Sequence, residues 1–104
     1  MKIAIAASSP KIETEVAMHG ARAEYYLLYD TETGSVEAVS NPVAQAQRHA
    51  GPEAAAYLVS KGADTVVAGQ FGPKFRAELE DSGIVCLEKT GTISEVISQF
   101  CETA

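Results

Sequence analysis

Cysteine is scarce in this sequence. Its two cysteines, Cys86 and Cys101, lie far apart and form no CxxC pair. Structural zinc sites and thiolate-held iron–sulfur clusters use about four closely spaced ligands, so the sequence argues against both. A disulfide is not expected in a reducing compartment, and both cysteines are interpreted as small core residues.

A long apolar run is also lacking at the start of the chain. The apolar stretch over residues 1–7 is too short to cross a membrane, and Ser8-Ser9-Pro10-Lys11 follows it instead of a signal-peptide cleavage region. We therefore expect a cytoplasmic protein with no membrane partner. The length of 104 residues predicts a single domain over residues 1–104.

Basic residues are outnumbered by acidic ones, 8 against 14, which gives a formal net charge of −6. A protein that binds nucleic acid by neutralising phosphates needs the opposite balance, so no nucleic-acid partner is expected. The glycine patterns of Walker and dinucleotide-binding loops are absent from the sequence. Net charge does not fix where the basic residues lie, so a local basic patch remains open.

The hydrophobic pattern predicts five strands and three helices in the order β-β-β-α-β-α-β-α. The predicted strands cover residues 3–7, 24–30, 35–40, 65–68 and 84–87. Helices are predicted to begin near residues 51, 72 and 92. Two Gly-Pro pairs, 51–52 and 72–73, each supply an N-cap and a first helical residue, and Thr92 forms a capping box with Glu95.

This order predicts that polar residues meet at one edge of the sheet. Helical connections make the third, fourth and fifth strands parallel. If the first three strands form an antiparallel meander, the first strand points the same way as these three, so four strands have their carboxyl ends on that edge. Ligands of open α/β sheets bind there, and helix N-termini add partial positive charge. The residues predicted at this edge, called the basic mouth, are Ser8, Ser9, Lys11, His19, Arg22, Arg48, His49, Gln70, Phe71, Gly72, Lys74 and Lys89. Its expected guest is a compact anion.

Plainer interpretations of the same residues stay open. A histidine near a turn is usually only solvated, and the Gly-Pro pairs are equally typical of ordinary helix starts. The tyrosines of the second strand are interpreted as packing residues. The convergence at the basic mouth also depends on the predicted topology.

An ordered set of short motifs resembles a known family. These motifs are MKIAIA at the start, His19 followed by Arg22-Ala23, Asn41-Pro42, Ala50-Gly51-Pro52-Glu53-Ala54-Ala55, Val67-Ala68-Gly69, Gly72-Pro73 and Gly91-Thr92. Together they resemble the dinitrogenase iron–molybdenum cofactor biosynthesis family, which includes the orange proteins that hold a molybdenum–copper sulfide cluster. The family commonly has His-Phe-Gly-Arg-Ala where this sequence has His19-Gly20-Ala21-Arg22-Ala23.

The resemblance implies a ribonuclease-H-like three-layer α/β fold with a five-stranded mixed sheet of order 3-2-1-4-5. It also implies non-catalytic carriage of a non-covalently held metal–sulfur cluster, either molybdenum–copper sulfide or an iron–sulfur or iron–molybdenum cofactor precursor. His19 is the metal ligand that it implies, and cluster donor and acceptor proteins are the implied partners. A cluster that brings its own sulfides does not need four protein thiolates, because an imidazole, N–H donors and cationic side chains can hold its charge.

Two other functions compete with cluster carriage. Nucleases of the implied fold hold Mg²⁺ with clustered carboxylates that begin on the first strand, but residues 3–7 contain no acid, which argues against an enzyme of that kind. A small anion- or nucleotide-binding regulatory module that uses the same basic mouth stays open.

Overall fold

The computed structural model describes residues 1–45 and 50–102, with side chains described as far as residue 100. Its elements are β1 (Lys2–Ala7), β2 (Tyr25–Asp30), β3 (Val36–Ser40), α1 (Ala50–Ser60), β4 (Thr65–Ala68), α2 (Pro73–Asp81), β5 (Val85–Glu88) and α3 (Ile93–Glu102). The predicted element order is confirmed, and each strand boundary lies within one residue of its predicted position.

The five strands form one mixed sheet in the order β3-β2-β1-β4-β5. The central strand β1 pairs antiparallel with β2, with Ala4 opposite Leu28, and parallel with β4, with Ala4 opposite Val66. The outer pairs are antiparallel for β2 with β3 and parallel for β4 with β5. This confirms the predicted α/β fold and its strand order. The carboxyl ends of β1, β3, β4 and β5 therefore share one edge.

The sheet is covered on both faces, because alternate residues of a strand point to opposite sides. In β1, Ala4 and Ala6 belong to the core cluster that includes residues of α1 and α2, whereas Ile3 and Ile5 belong to the cluster that includes residues of α3. This makes three layers, and β1 is buried on both faces as predicted. No helix in the described part of the chain is both long and apolar enough to span a bilayer.

Each of the three helices begins within one residue of its predicted start, at Ala50, Pro73 and Ile93. Gly72 is the N-cap of α2 with Pro73 as its first residue, and Thr92 and Glu95 exchange the hydrogen bonds of a capping box at α3. The prediction of Gly51 as the N-cap of α1 was wrong, because the helix already begins at Ala50. A Cβ at Gly51 would lie 3.0 Å from the backbone nitrogen of Phe75. This glycine therefore allows the first turn of α1 to lie against α2.

Candidate functional site

The segment that joins β1 to β2 lies across the carboxyl ends of β1 and β4. Ala17 N–H donates to the Ala6 carbonyl (2.8 Å), and Gly69 N–H donates to the Ala17 carbonyl (2.9 Å). Further along the same segment, Gly20 N–H donates to the Gln70 carbonyl (3.3 Å), and His19 pairs with Gln70 in an isolated parallel bridge. These backbone bonds place His19 at the sheet edge that the topology predicts.

A cavity of about 350 Å³ opens between this segment and the start of α2. Residues 19–22 form one wall and residues 70–73 form the other; we call it the His19 cavity. The structure thus brings five predicted site residues together here: His19, Arg22, Gln70, Phe71 and Gly72.

The charges around the His19 cavity favour an anion. The His19 and Arg22 side chains are exposed there, and no Asp or Glu is among the described residues that line it. The N-terminus of α2 opens at the same wall, where its cap Gly72 has no side chain to accept from the N–H groups of the first turn. A helix N-terminus carries partial positive charge and attracts anions. The described part of this acidic chain therefore contains a locally electropositive cavity.

A second cavity, of about 440 Å³, lies on the other side of His19 and Arg22. Ser8 lines this cavity, together with the carboxylate residues Glu15 and Glu24. These carboxylates make it less suited to an anion than the His19 cavity. The predicted residue Ser8 thus lines a cavity together with His19 and Arg22. It does not line the His19 cavity.

Two other predicted residues, Ser9 and Lys11, lie in a turn that packs near α3 and line neither cavity. The Ser9 hydroxyl bonds to Thr14 Oγ1 (3.3 Å) and accepts from Lys11 N–H (3.2 Å), and Ile93 N–H donates to the Thr14 carbonyl (2.9 Å). The Ser9 hydroxyl is thus used inside the turn, which explains why the predicted contact with the mouth is not formed.

The remaining basic residues of the predicted basic mouth do not line the His19 cavity or lie outside the described residues. Lys74 is exposed in the first turn of α2, next to the lining residue Pro73, but does not itself line the His19 cavity. Lys89 Nζ donates to Gln99 Oε1 (2.9 Å) on α3, which directs its charge elsewhere. Arg48 and His49 lie outside the described residues.

Phe71 forms an apolar wall of the His19 cavity. Its ring stacks on Phe75 with centroids 5.7 Å apart, and the Arg76 guanidinium lies 5.3 Å from its centroid on a cation–π contact. Arg76 also pairs with the carboxylates of Glu80 (3.6 Å) and Glu88 (3.4 Å). The wall is therefore held by packing, and the charge of Arg76 is committed to α2 and β5.

Two buried residues that the sequence analysis did not assign to the site hold its turn. Tyr26 Oη donates to the Gly20 carbonyl (2.6 Å), and Asn41 Nδ2 donates to the carbonyls of Ala21 (2.9 Å) and Ala23 (2.8 Å). Burial, and to a lesser extent Tyr57, raises the pKa of Tyr26 well above its ordinary value, so its hydroxyl stays protonated and keeps donating.

The sequence contains a local signal for a turn at Asn41, but it contains no signal for the hydrogen bonds of Asn41 to distant residues. Asn41 follows a strand and precedes a proline, which is typical of an Asx turn, and Val43 N–H does donate to Asn41 Oδ1 (3.1 Å). The bonds to Ala21 and Ala23 join residues about 20 positions apart, a pairing that only the folded chain creates.

The described residues contain no group of three or more His, Cys, Asp or Glu side chains placed to hold a metal ion. Cys86 is half-buried on β5, and burial raises the pKa of its thiol, with a smaller opposing effect of Arg76. A neutral thiol is a poor metal ligand. The described residues therefore offer no ready cage for a bare metal ion, whereas a cluster with its own sulfides needs fewer ligands.

Comparison with known proteins identifies a matching family. The sequence matches a family model described as "Dinitrogenase iron-molybdenum cofactor" over residues 1–103. No curated protein matches the sequence.

Several solved structures share the fold. A NifB-like protein of Thermotoga, from the DUF35 family, is 35% identical with a TM-score of 0.82, and the alignment covers 97% of this chain and 87% of that one. The apo form of the orange protein from Desulfovibrio gigas is 28% identical with a TM-score of 0.87, covering 98% and 88%. A dinitrogenase-like protein of Methanocaldococcus jannaschii, 15% identical with a TM-score of 0.71 and coverage of 99% and 89%, supports the fold alone.

Proposed function

The chain belongs to the dinitrogenase iron–molybdenum cofactor family, and on that premise we propose that it binds and carries an anionic metal–sulfur cluster in the His19 cavity. Membership links the chain to metal-cluster binding or assembly. The observation that carries the finer proposal is the cavity itself, where His19 and Arg22 face the N-terminus of α2 and no described lining residue is acidic.

Each wall of the cavity has a part in holding such a cargo. The imidazole of His19 offers a nitrogen ligand to a metal of the cluster, provided that this nitrogen is unprotonated. The Arg22 guanidinium and the first-turn N–H groups of α2 compensate the charge of the sulfides. The buried ring of Phe71 presents an apolar surface that limits access of water.

The role is binding and transfer of a preassembled group, without a chemical step on the protein. The cluster is molybdenum–copper sulfide or an iron–sulfur or iron–molybdenum cofactor precursor, received from a donor protein and passed to an acceptor. Similarity to the orange protein and to the NifB-like protein supports this range. Non-covalent retention fits a carrier, because the cargo has to leave.

The second candidate is a small anion- or nucleotide-binding regulatory module. The same feature favours it, since a helix N-terminus beside an arginine also suits a phosphate. The stacked pair of Phe71 and Phe75 does not distinguish the two, because the apolar wall suits either guest.

The test is anaerobic reconstitution of the full chain with tetrathiomolybdate plus Cu(I), and separately with an iron–sulfur precursor, followed by desalting and metal analysis. We expect one of the two mixtures to leave about one coloured cluster per chain, and Arg22→Glu to retain much less. Lys61→Glu is the matched control, because it makes the same charge change at the far end of α1, where Lys61 lies over Tyr57. Tight binding of phosphate or ATP by a chain that retains no metal would favour the second candidate.

A further inference from the structure

Gly20, the residue after His19, is held at both of its backbone polar groups. Its N–H donates to the Gln70 carbonyl (3.3 Å) on the opposite wall of the His19 cavity. Its carbonyl accepts from the Tyr26 hydroxyl (2.6 Å). A Cβ at Gly20 would lie 2.8 Å from Cε2 of Phe75, so its backbone also lies against α2. The position of Gly20 is therefore fixed relative to the core and to both walls of the cavity.

The backbone on either side of Arg22 is held by one side chain. Asn41 Nδ2 donates to the carbonyls of Ala21 (2.9 Å) and Ala23 (2.8 Å). Asn41 Oδ1 accepts from Val43 N–H (3.1 Å), which orients the amide group for these two bonds. The residue that follows β3 thus fixes the turn from which the Arg22 side chain extends.

Tyr26 and Asn41 form one buried network. Asn41 Nδ2 lies 3.4 Å from Tyr26 Oη, and the two residues are 6% and 0% exposed, respectively. Neither residue lines the His19 cavity or the second cavity, so an effect of either one on the cargo has to pass through the turn.

We propose that Tyr26 and Asn41 are positioning residues of the cluster site. Tyr26 holds His19 in place through Gly20, and Asn41 holds Arg22 in place through the peptides beside it. The inference rests on the proposed function and specifies what sets its affinity. A turn that is ordered before the cargo arrives does not have to be ordered on binding, and this raises affinity. Loss of either side chain leaves buried carbonyls without a donor, an unfavourable state that the turn relieves by moving.

The test is a double-mutant cycle that combines Tyr26→Phe with His19→Ala. The full chain is titrated with tetrathiomolybdate plus Cu(I), and the Kd is obtained from visible absorbance. Tyr26→Phe alone should raise the Kd about fivefold, the factor equivalent to one ordinary hydrogen bond. In the His19→Ala background it should change the Kd by less than about twofold, because the effects of residues that act through one another do not add.

Tyr25→Phe is the matched control. It removes the same group from the same strand, but Tyr25 packs against the core cluster of the opposite face, so the Kd should stay unchanged. All titrations are made where urea denaturation shows every variant to be folded, because a loss of stability alone then leaves the Kd unchanged.

The outcomes separate this inference from the proposed function. A parent-like Kd for Tyr26→Phe, or effects of Tyr26→Phe and His19→Ala that add, overturns the positioning role and leaves the proposed function standing. A parent chain that binds no cluster overturns both. Should Tyr26→Phe fail to fold, Asn41→Ser is combined with Arg22→Gln in the same cycle, where non-additive effects support the proposal and additive effects overturn it.

Discussion

The Tyr26 hydroxyl donates a 2.6 Å hydrogen bond to the carbonyl of Gly20, which ties the second strand of the sheet to the turn between His19 and Arg22. Asn41, directly after β3, bonds to the same turn at Ala21 and Ala23. The position of the candidate ligand thus depends on two buried residues that do not themselves line the cavity.

Alkaline pH should destabilise the fold through Tyr26. Its folded-state pKa lies above the ordinary value of 10.0 because of burial, so above that pH the unfolded chain binds fewer protons than the folded one. The contribution is fully present below pH 10 and is lost as pH rises through the folded pKa. Urea denaturation from pH 8 to 11 should show stability falling above pH 10 and a shallower fall in Tyr26→Phe. An identical slope in both proteins would contradict this.

Gly20→Ala should destabilise the protein and weaken anion binding. A Cβ there would lie 2.8 Å from Cε2 of Phe75 and 3.1 Å from Cβ of Ala68, and overpacking of this kind costs about 1–3 kcal/mol. Gly72→Ala is the matched control on the opposite wall, because a Cβ at Gly72 meets nothing within 4 Å. Denaturant midpoints check both variants, and equal midpoints for the two would refute the close approach of Gly20 to Phe75.

His19→Ala should lower cluster affinity about tenfold or more, the scale seen when the surroundings of a metal ligand are disturbed. Its exposed side chain contributes little to the core, so the denaturation curve should stay close to that of the parent. Metal retained after desalting, compared between parent and variant, measures this.

His49, the other histidine of the sequence, supplies the comparison for His19→Ala. We expect His49→Ala to lower cluster retention less than His19→Ala does. If His19→Ala retains cluster as the parent does, His19 is only a turn residue at the sheet edge.

Arg22→Glu should weaken retention by about tenfold, consistent with loss of one hydrogen bond to a charged group. Raising the salt concentration from 0.1 to 1 M should weaken binding in the parent, since the screening length falls from about 10 Å to about 3 Å. Lys74→Glu should have a smaller effect, because Lys74 is exposed beside the cavity and does not line it. Retention that is independent of both charge and salt would indicate that metal–ligand bonds alone hold the cluster.

The fold was predictable because its signals are local. Gly72-Pro73 and the capping box of Thr92 mark helix starts at the residues where α2 and α3 begin, and short apolar strands between them predict parallel pairing. The sheet-edge position of His19, Arg22 and Gln70 was predictable once the topology was known. Topology alone brings the ends of β1 and β4 together.

The rest of the site depends on contacts that no local pattern encodes. Ser9 and Lys11 were predicted at the mouth from their position after β1, but the Ser9 hydroxyl bonds within its own turn. The roles of Tyr26 and Asn41 arise from bonds to a turn on another part of the chain. Gly51 was assigned as the N-cap of α1 from the Gly-Pro pattern, but the helix begins at Ala50, and Gly51 instead lies against Phe75 in a contact that only the folded chain creates.

The most direct measurement of the central claim is an anomalous difference map of crystals of the reconstituted protein, collected at the absorption edge of the retained metal. The account predicts one peak inside the His19 cavity, between residues 19–22 and residues 70–73, with a metal atom within bonding distance of a His19 ring nitrogen. A peak beside Cys86, a peak in the cavity lined by Glu15 and Glu24, or no peak in crystals whose metal content is confirmed would contradict it.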